Sequence, residues 1–243
     1  MTRPGAGGDY HRGMEIKRTF DLSNDTKARV IAAATRLFAE KGMEKVVLRE
    51  LTSAAGVNLA AVNYHFGSKE ALCEAVLDSL SERVNARRLA HLRQVLDEAR
   101  RAGQRPALRA VLDTFIAPYL DADEAGEGAV LVQLLIKDRV SPSEMTARII
   151  RKHFDPLARE YIAAFALACP DVSPDDFYWR YAFTYCAVIL TASDRSKTNR
   201  ISTMSMGRFD GADRVARREA LLDYLVAAIG APSRTPPPGL ARR

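Results

Sequence analysis

Hydrophobic positions recur at helical spacing along almost the whole chain, and no stretch alternates in the manner of a strand. Val30, Ile31, Ala34, Leu37 and Phe38 form one face of a first helix, with Asp25 as its expected cap and Gly42 as its stop. A short second helix is expected from Leu48 to Ala55, with Leu48 and Leu51 turned inward. Gly56 suits the left-handed residue that ends it, and Val57 its hydrophobic fold-back. Asn58 then caps a third short helix that carries Val62 and ends near Phe66. After Gly67, Ser68 caps a long fourth helix on which Leu72, Val76, Leu80 and Val84 fall every four residues.

Further helices are expected at Pro106–Leu120, Ala129–Val140 and Ser143 to about Leu167, the last kinked at Pro156. Ser173-Pro174-Asp175-Asp176 reads as cap, first-turn proline and acidic start of another, running to about Ala192. Apart from Arg180, Thr184 and Thr191 it is apolar on nearly every side, so it asks for more cover than one small domain supplies. A last helix spans Asp213 to Ile229, closed by Gly230 and Pro232; its stripe Leu222, Leu225 and Ile229, with the apolar helix Pro174–Ala192, is expected to form a four-helix bundle across a dimer two-fold. Arg195 to Gly211 and the Pro/Arg-rich tail read as irregular, and no internal repeat is evident. The fold class is therefore all-α.

At 243 residues and 47% hydrophobic content, the chain can fill a small domain plus a larger one. The expected division is an N-terminal arm at 1–23, flexible and lacking the apolar core of a signal peptide, then a first domain at 24–70. A helical domain follows at 71–230, with a disordered tail at 231–243. No apolar run reaches the length of a membrane span, so the expected location is the cytoplasm and no membrane partner is implied. Cys73, Cys169 and Cys186 are odd in number and widely spaced, which reads as small buried hydrophobes in a reducing compartment.

The net charge of +6 invites a nucleic-acid partner, yet Asp25–Asp78 holds seven basic and seven acidic side chains. The excess lies at Arg83, Arg87, Arg88, Arg93, Arg100, Arg101, Arg105 and Arg109. If the first domain binds DNA, the placement of charge does it, because the quantity does not. No Gly-rich phosphate loop, metal-spaced His/Cys set or nucleophile elbow is present. No enzyme is indicated: there is no catalytic residue, metal ligand or cofactor to name.

The informative segment is residues 48–66: short helix, Gly-containing turn, short helix. That is the helix-turn-helix arrangement, which presents its second helix to the major groove. The run from Val57 to Leu72, with Tyr64-His65-Phe66 before Ser68-Lys69-Glu70-Ala71-Leu72, closely resembles the TetR family of transcriptional regulators. The segments Ala33-Ala34-x-x-Leu37-Phe38-Ala39-Glu40-Lys41-Gly42 and Leu51-x-x-Ala54-Ala55-Gly56-Val57 extend the similarity. The resemblance implies phosphate contacts from Tyr64, His65 and Lys69, and base-facing positions at Arg49, Leu59, Ala60, Ala61 and Asn63, with Asn58 at the helix start. Two departures stand out. Val46 and Val47 replace the usual Thr or Ser that caps the second helix, and Leu59-Ala60 replace more polar residues.

From Arg105 to Ala231 the chain is more weakly similar to the PsrA-type branch, some of whose members respond to fatty acids. The landmarks are Arg105-Pro106, the apolar stretch Leu131 to Ile136, Lys152-His153-Phe154-x-Pro156-Leu157 and Pro174-x-x-x-Tyr178-Trp179-Arg180. The resemblance implies a homodimer on a near-palindromic double-stranded operator, relieved by a small apolar effector such as a fatty acyl group or acyl-CoA. Phe115, Tyr119, Phe154, Phe165 and Tyr178 are the candidate pocket residues, with Arg148, Arg151, Lys152 and Arg159 available for a phosphate-rich head. The alternative is a DNA-binding dimer governed by a protein partner or by no ligand.

Overall fold

The computed structural model describes residues 9–121, 126–193, 200–210 and 213–233, with side chains from Asn24 onward except those of Arg200 and Ile201. The expected tail lies outside these from residue 234, as does most of the stretch before α10. The described residues contain helices and turns with no strand. The chain divides into two compact units, Met1–Val76 and Leu77–Arg243.

In the first unit, α1 (Asp9–Lys41) packs on α2 (Leu48–Ala55) and α3 (Leu59–Phe66). Asp25 does not cap α1 but sits inside it, because the backbone is helical from Asp9, across most of the expected arm. The core is small and apolar: Val30, Ala34, Leu37 and Phe38 from α1 with Val46, Leu51, Val62 and Phe66. Each large member contributes about 1.5–3 kcal/mol of transfer free energy.

α2 ends as the sequence requires. Gly56 adopts the left-handed φ 63°, ψ 39°, and the Val57 amide closes on the Thr52 carbonyl at 3.0 Å. A β-carbon at Gly56 would lie 2.8 Å from Arg29 Nη2. That guanidinium donates to the carbonyls of Ala55 (2.7 Å) and Gly56 (2.9 Å), so it pins the α2–α3 turn to α1. Asn58 Oδ1 caps α3 by accepting from the Ala61 amide at 2.7 Å, and Ser68 Oγ caps α4 (Lys69–Arg101) through the Ala71 amide. α2 has no side-chain cap, as expected from valine at 46 and 47: the Val47 carbonyl alone receives the Glu50 and Leu51 amides.

The second unit comprises the rest of α4, then α5 (Leu108–Leu120), α6 (Glu127–Val140), α7 (Glu144–Ile149), α8 (Asp155–Ala168), α9 (Asp176–Ser193), α10 (Arg200–Met204) and α11 (Arg214–Gly230). α5 lies at its centre, against α6, α8, α9 and α11. α6 starts hard against α5, where a β-carbon on Gly128 would fall 2.0 Å from the Pro118 carbonyl oxygen. The expected proline kink takes another form. Pro156 has no amide hydrogen, and the turn before it, Ile150–Phe154, widens into a π turn whose Asp155 amide bonds to the Ile150 carbonyl.

Leu222, Leu225 and Ile229 are fully buried, on the α11 that packs against α5. That stripe is therefore intrachain core rather than a face awaiting a partner. Asp213 caps α11 through the Ala216 amide, and Arg180 of α9 closes its other end on the carbonyls of Ile229 and Ala231. Ser173 was expected to cap α9 by its side chain. Its carbonyl instead accepts from the Asp176 amide, and its own amide donates to Ser233 Oγ.

Candidate nucleic-acid interface and interior cavity

α3 is two-faced. Val62 and Phe66, one turn apart, are buried, while Leu59, Ala60, Asn63 and Tyr64 lie side by side on the opposite arc and are exposed. Tyr64 is 84% exposed, which removes any packing role for its hydroxyl. His65 and Ala61 flank the arc at intermediate exposure, and His65 packs edge-on between the Tyr64 and Phe66 rings. Asn58 is exposed, with its side-chain oxygen committed to the cap.

Arg49 stands exposed on α2. Its neighbour Glu50 pairs instead with Lys41 of α1, which consumes one acidic group near this surface. Lys69 Nζ donates to the Glu44 carbonyl at 3.2 Å, leaving an ammonium with further donors at the start of α4. Chemically, an exposed guanidinium such as that of Arg49 can fork to guanine, an amide such as that of Asn63 can pair with adenine, Leu59 and Ala60 offer apolar surface, and the Tyr64 hydroxyl and the half-buried Lys69 ammonium are hydrogen-bond donors.

The second unit holds a cavity of about 120 Å³ among α4, α5, α6, α8 and α9 and the π turn. Three of the five expected pocket residues line it: Phe115, Tyr119 and Phe154. The other two do not. Phe165 is buried core beside Tyr161, and Tyr178 is 66% exposed on the outer side of α9. Tyr181 and Tyr185, three and seven residues further along α9, take the inward positions. Helical spacing could have separated them: Tyr181 and Tyr185 follow Phe177, which is fully buried, at four-residue steps.

The residue most clearly missed is Arg88, which lines the cavity and is 3% exposed. Its signal was in the sequence. The stripe Leu72, Val76, Leu80, Val84 continues at four-residue spacing through Arg88 to Leu92, and both ends of that stripe are buried. Other members of the arginine-rich run are answered by carboxylates far along the chain: Arg83 and Arg87 by Glu127, and Arg109 by Glu219 and Asp223. Burial alone would raise the Glu127 carboxyl, but the hydrogen bonds from Arg87 and Arg83 outweigh it and hold Glu127 below its ordinary value.

α4 is also tied to the π turn. Asp78 accepts from Lys152 Nζ at 2.8 Å and pairs with His153 Nε2 at 2.7 Å. Asn85 Nδ2 donates to the His153 carbonyl at 2.9 Å. Lys152 is thereby engaged, though exposed like Arg148, Arg151 and Arg159. Among the described cysteines, Cys73 and Cys169 are half-buried and Cys186 is exposed, against the expectation of burial. Cys186 shares the outer side of α9 with Trp179, Phe183 and Leu190. No helix among the described residues is long and apolar enough to cross a membrane, and no His/Cys/Asp/Glu group among them is arranged to hold a metal.

Residues 30–76 match the family described as "Bacterial regulatory proteins, tetR family", and residues 113–228 match "Tetracyclin repressor-like, C-terminal domain". The HTH-type transcriptional regulator TtgR of Pseudomonas putida is 37% identical over 67 residues, 28% of this chain and 32% of that protein. The HTH-type transcriptional repressor Rv3405c of Mycobacterium tuberculosis is 36% identical over 94 residues, 37% of this chain and 49% of that protein. The chain thus spans about a third to a half of the length of these curated relatives. A transcriptional regulator from Saccharomonospora viridis, solved in complex with choline, shares the fold with a TM-score of 0.62 at 16% identity, over 83% of this chain and 96% of that one. With the helix-turn-helix region and most of the second unit matched in this way, the chain belongs to the TetR family of DNA-binding, helix-turn-helix transcriptional regulators, which are not enzymes.

Proposed function

We propose that this regulator binds a near-palindromic operator as a homodimer in the cytoplasm, represses from it, and leaves it when a small, largely apolar molecule enters the cavity of the second unit. The observation that carries the DNA-reading part is the exposed arc Leu59, Ala60, Asn63 and Tyr64 on a helix otherwise anchored by Val62 and Phe66. A recognition helix needs that division, because the buried side fixes the angle at which the other side meets base edges. Lys69, Tyr64 and His65 set the register on phosphates, while Arg49 and Asn63 discriminate bases.

Dimerisation is supported by α9. Tyr178, Trp179, Phe183 and Leu190 are each at least 65% exposed, and Tyr224 of α11 is 63% exposed. Stacked Trp179 and Phe183 rings, 5.9 Å apart, left in water cost apolar free energy that a second copy of the same surface removes. A dimer places two α3 helices in successive major grooves, ~34–36 Å apart.

For the effector, the aromatic lining favours an apolar body over a sugar, and the fatty acyl class fits that lining. Release requires that the ligand bind the DNA-free state more tightly than the DNA-bound one. The test is fluorescence anisotropy on an operator selected from random duplexes, titrated with fatty acids, their CoA esters and small aromatic acids. The proposal predicts tight, salt-dependent binding to one palindrome and release by an apolar acid or acyl compound. Release by polar metabolites alone would refute the effector part, and no selectable sequence would refute the operator part.

A further inference from the structure

Arg88 is a desolvated cation whose direct contacts are all neutral. Nη1 donates to Asn85 Oδ1 (3.1 Å) and the Tyr119 hydroxyl (2.9 Å), and Nη2 to the Phe115 carbonyl (3.3 Å). The guanidinium carbon lies 5.0 Å from the centroids of the Phe115 and Tyr119 rings and 5.3 Å from that of Tyr161. Nε is buried with no hydrogen-bond partner. Among the described residues, no carboxylate comes within ion-pair distance of this guanidinium, although Arg83 and Arg87 on the same helix both find Glu127. A buried ion held only by dipoles and ring faces forgoes most of the compensation for its lost hydration. Deprotonation gives no escape, since Arg stays charged in proteins.

This cation faces a cavity. The three tyrosines around that space, Tyr119, Tyr181 and Tyr185, are neutral donors at neutral pH, and burial pushes their hydroxyls further up, that of Tyr185 to about 12. Tyr119 accepts from Arg88, so its own proton remains available for a ligand. The remaining charged lining residues, Asp138, Arg139 and Asp155, are more accessible than Arg88, and the Arg139 guanidinium covers the Tyr185 ring at 5.1 Å.

We propose that the cavity receives a compact organic monocarboxylate, whose carboxylate pairs with Arg88 and accepts from Tyr119, and whose apolar body packs on Leu135, Ile150, Phe154 and Leu157. This deepens the reading of the cavity as the effector site and rests on it. Size sets the body. A cavity of about 150 Å³ in an apolar core takes one benzene ring. The 120 Å³ here is smaller, so the body is at most a single ring or a chain of roughly six carbons. A CoA thioester lacks the carboxylate, and a quaternary ammonium brings the wrong sign. The same asparagine that receives Arg88 also holds the π turn through the His153 carbonyl, so a ligand drawing on Arg88 acts directly on the clasp between α4 and the π turn.

The test is isothermal calorimetry on the full chain without DNA, using benzoate, hexanoate and octanoate against benzamide, octanamide, octanoyl-CoA and choline. We expect at least one acid to bind one per chain, at least tenfold tighter than its amide, with no binding of choline. Arg88→Gln brings acid and amide to equal affinity, whereas Arg88→Lys retains a reduced preference for the acid. Leu135→Trp fills the cavity without touching Arg88 and removes acid binding. If Arg88→Gln does not fold, the wild-type acid-to-amide ratio and Leu135→Trp still decide. Equal affinity for acid and amide, or acid binding unchanged by Leu135→Trp, overturns the proposal and leaves an apolar effector standing. Binding of nothing in the series overturns this assignment and the effector reading together. Operator affinity, measured on the same preparations, reports separately on DNA recognition.

Discussion

Replacing Gly56 by alanine probes the joint that sets the angle between α2 and α3. Two costs add. A non-glycine residue at φ 63° forfeits roughly 1–2 kcal/mol. The new β-carbon would also sit 2.8 Å from Arg29 Nη2, so the guanidinium must withdraw from one or both of its carbonyl acceptors on Ala55 and Gly56. Partial loss of two such bonds at a half-exposed site costs about 1–2 kcal/mol more. The expected total, about 2–4 kcal/mol, falls on the first unit. Native-state amide exchange at Leu51 and Val62 reads it locally, as an acceleration of roughly 30- to 700-fold. In an Arg29→Ala background the same substitution should cost only its backbone part, about 1–2 kcal/mol. Exchange within threefold of wild type, or an equal cost in both backgrounds, would refute the role given to Arg29.

Lys69→Ala should weaken binding to all DNA sequences alike and lower the salt dependence by about one unit of slope per half-site, read by anisotropy across a salt series. A loss confined to one sequence would place Lys69 on bases instead. The carboxyls of Asp78 and Glu127 are both held below their ordinary values. Burial opposes this in each case, but donors from Lys152 and His153, and from Arg87 and Arg83, prevail. A folded pKa below the unfolded one contributes stability that is complete above the unfolded values, 3.8 and 4.5, and is lost as pH falls through the folded ones. Melting curves should therefore show an acid limb beginning near pH 4.5, and the pair Asp78→Asn and Glu127→Gln should flatten it; an unchanged limb contradicts the assignment. Trp179→Arg or Phe183→Arg, at sites already exposed in the single chain, should give folded monomers in light scattering whose operator affinity drops roughly 100-fold or more. Dimers that bind normally would move the interface elsewhere.

The helix-turn-helix was legible because its punctuation is local. Gly56, Asn58 and Ser68 each act within four residues of themselves, and each does in the structure what its chemistry suggests. Asp213 at the head of α11 is the same case. What failed depended on distant chain. The stripe Leu222, Leu225, Ile229 announces a buried face, but periodicity carries no record of what buries it, and α5 of the same chain does so. Asp25 resembles a cap because its composition is right; only the helical backbone from Asp9 shows that the helix has already begun. Arg88 was hidden by its own charge. Grouped with seven other arginines it counted toward a basic surface, whereas its place on the Leu80–Val84–Leu92 stripe puts it in the interior. Tyr178 and Tyr181 differ by three positions and opposite surroundings, a distinction that aromatic content alone does not make.

The central claim is that the exposed arc of α3, together with Arg49, reads a specific operator. Selection of duplexes from a random pool tests it directly, run in parallel with wild type, Arg49→Ala and Asn63→Ala. Wild type should enrich a near-palindrome whose half-sites are centred one helical turn apart. Each variant should lose preference at a different symmetric pair of positions, by roughly 1–3 kcal/mol per contact, while keeping the rest of the motif. An identical motif from all three proteins, or no motif from wild type, would contradict the account.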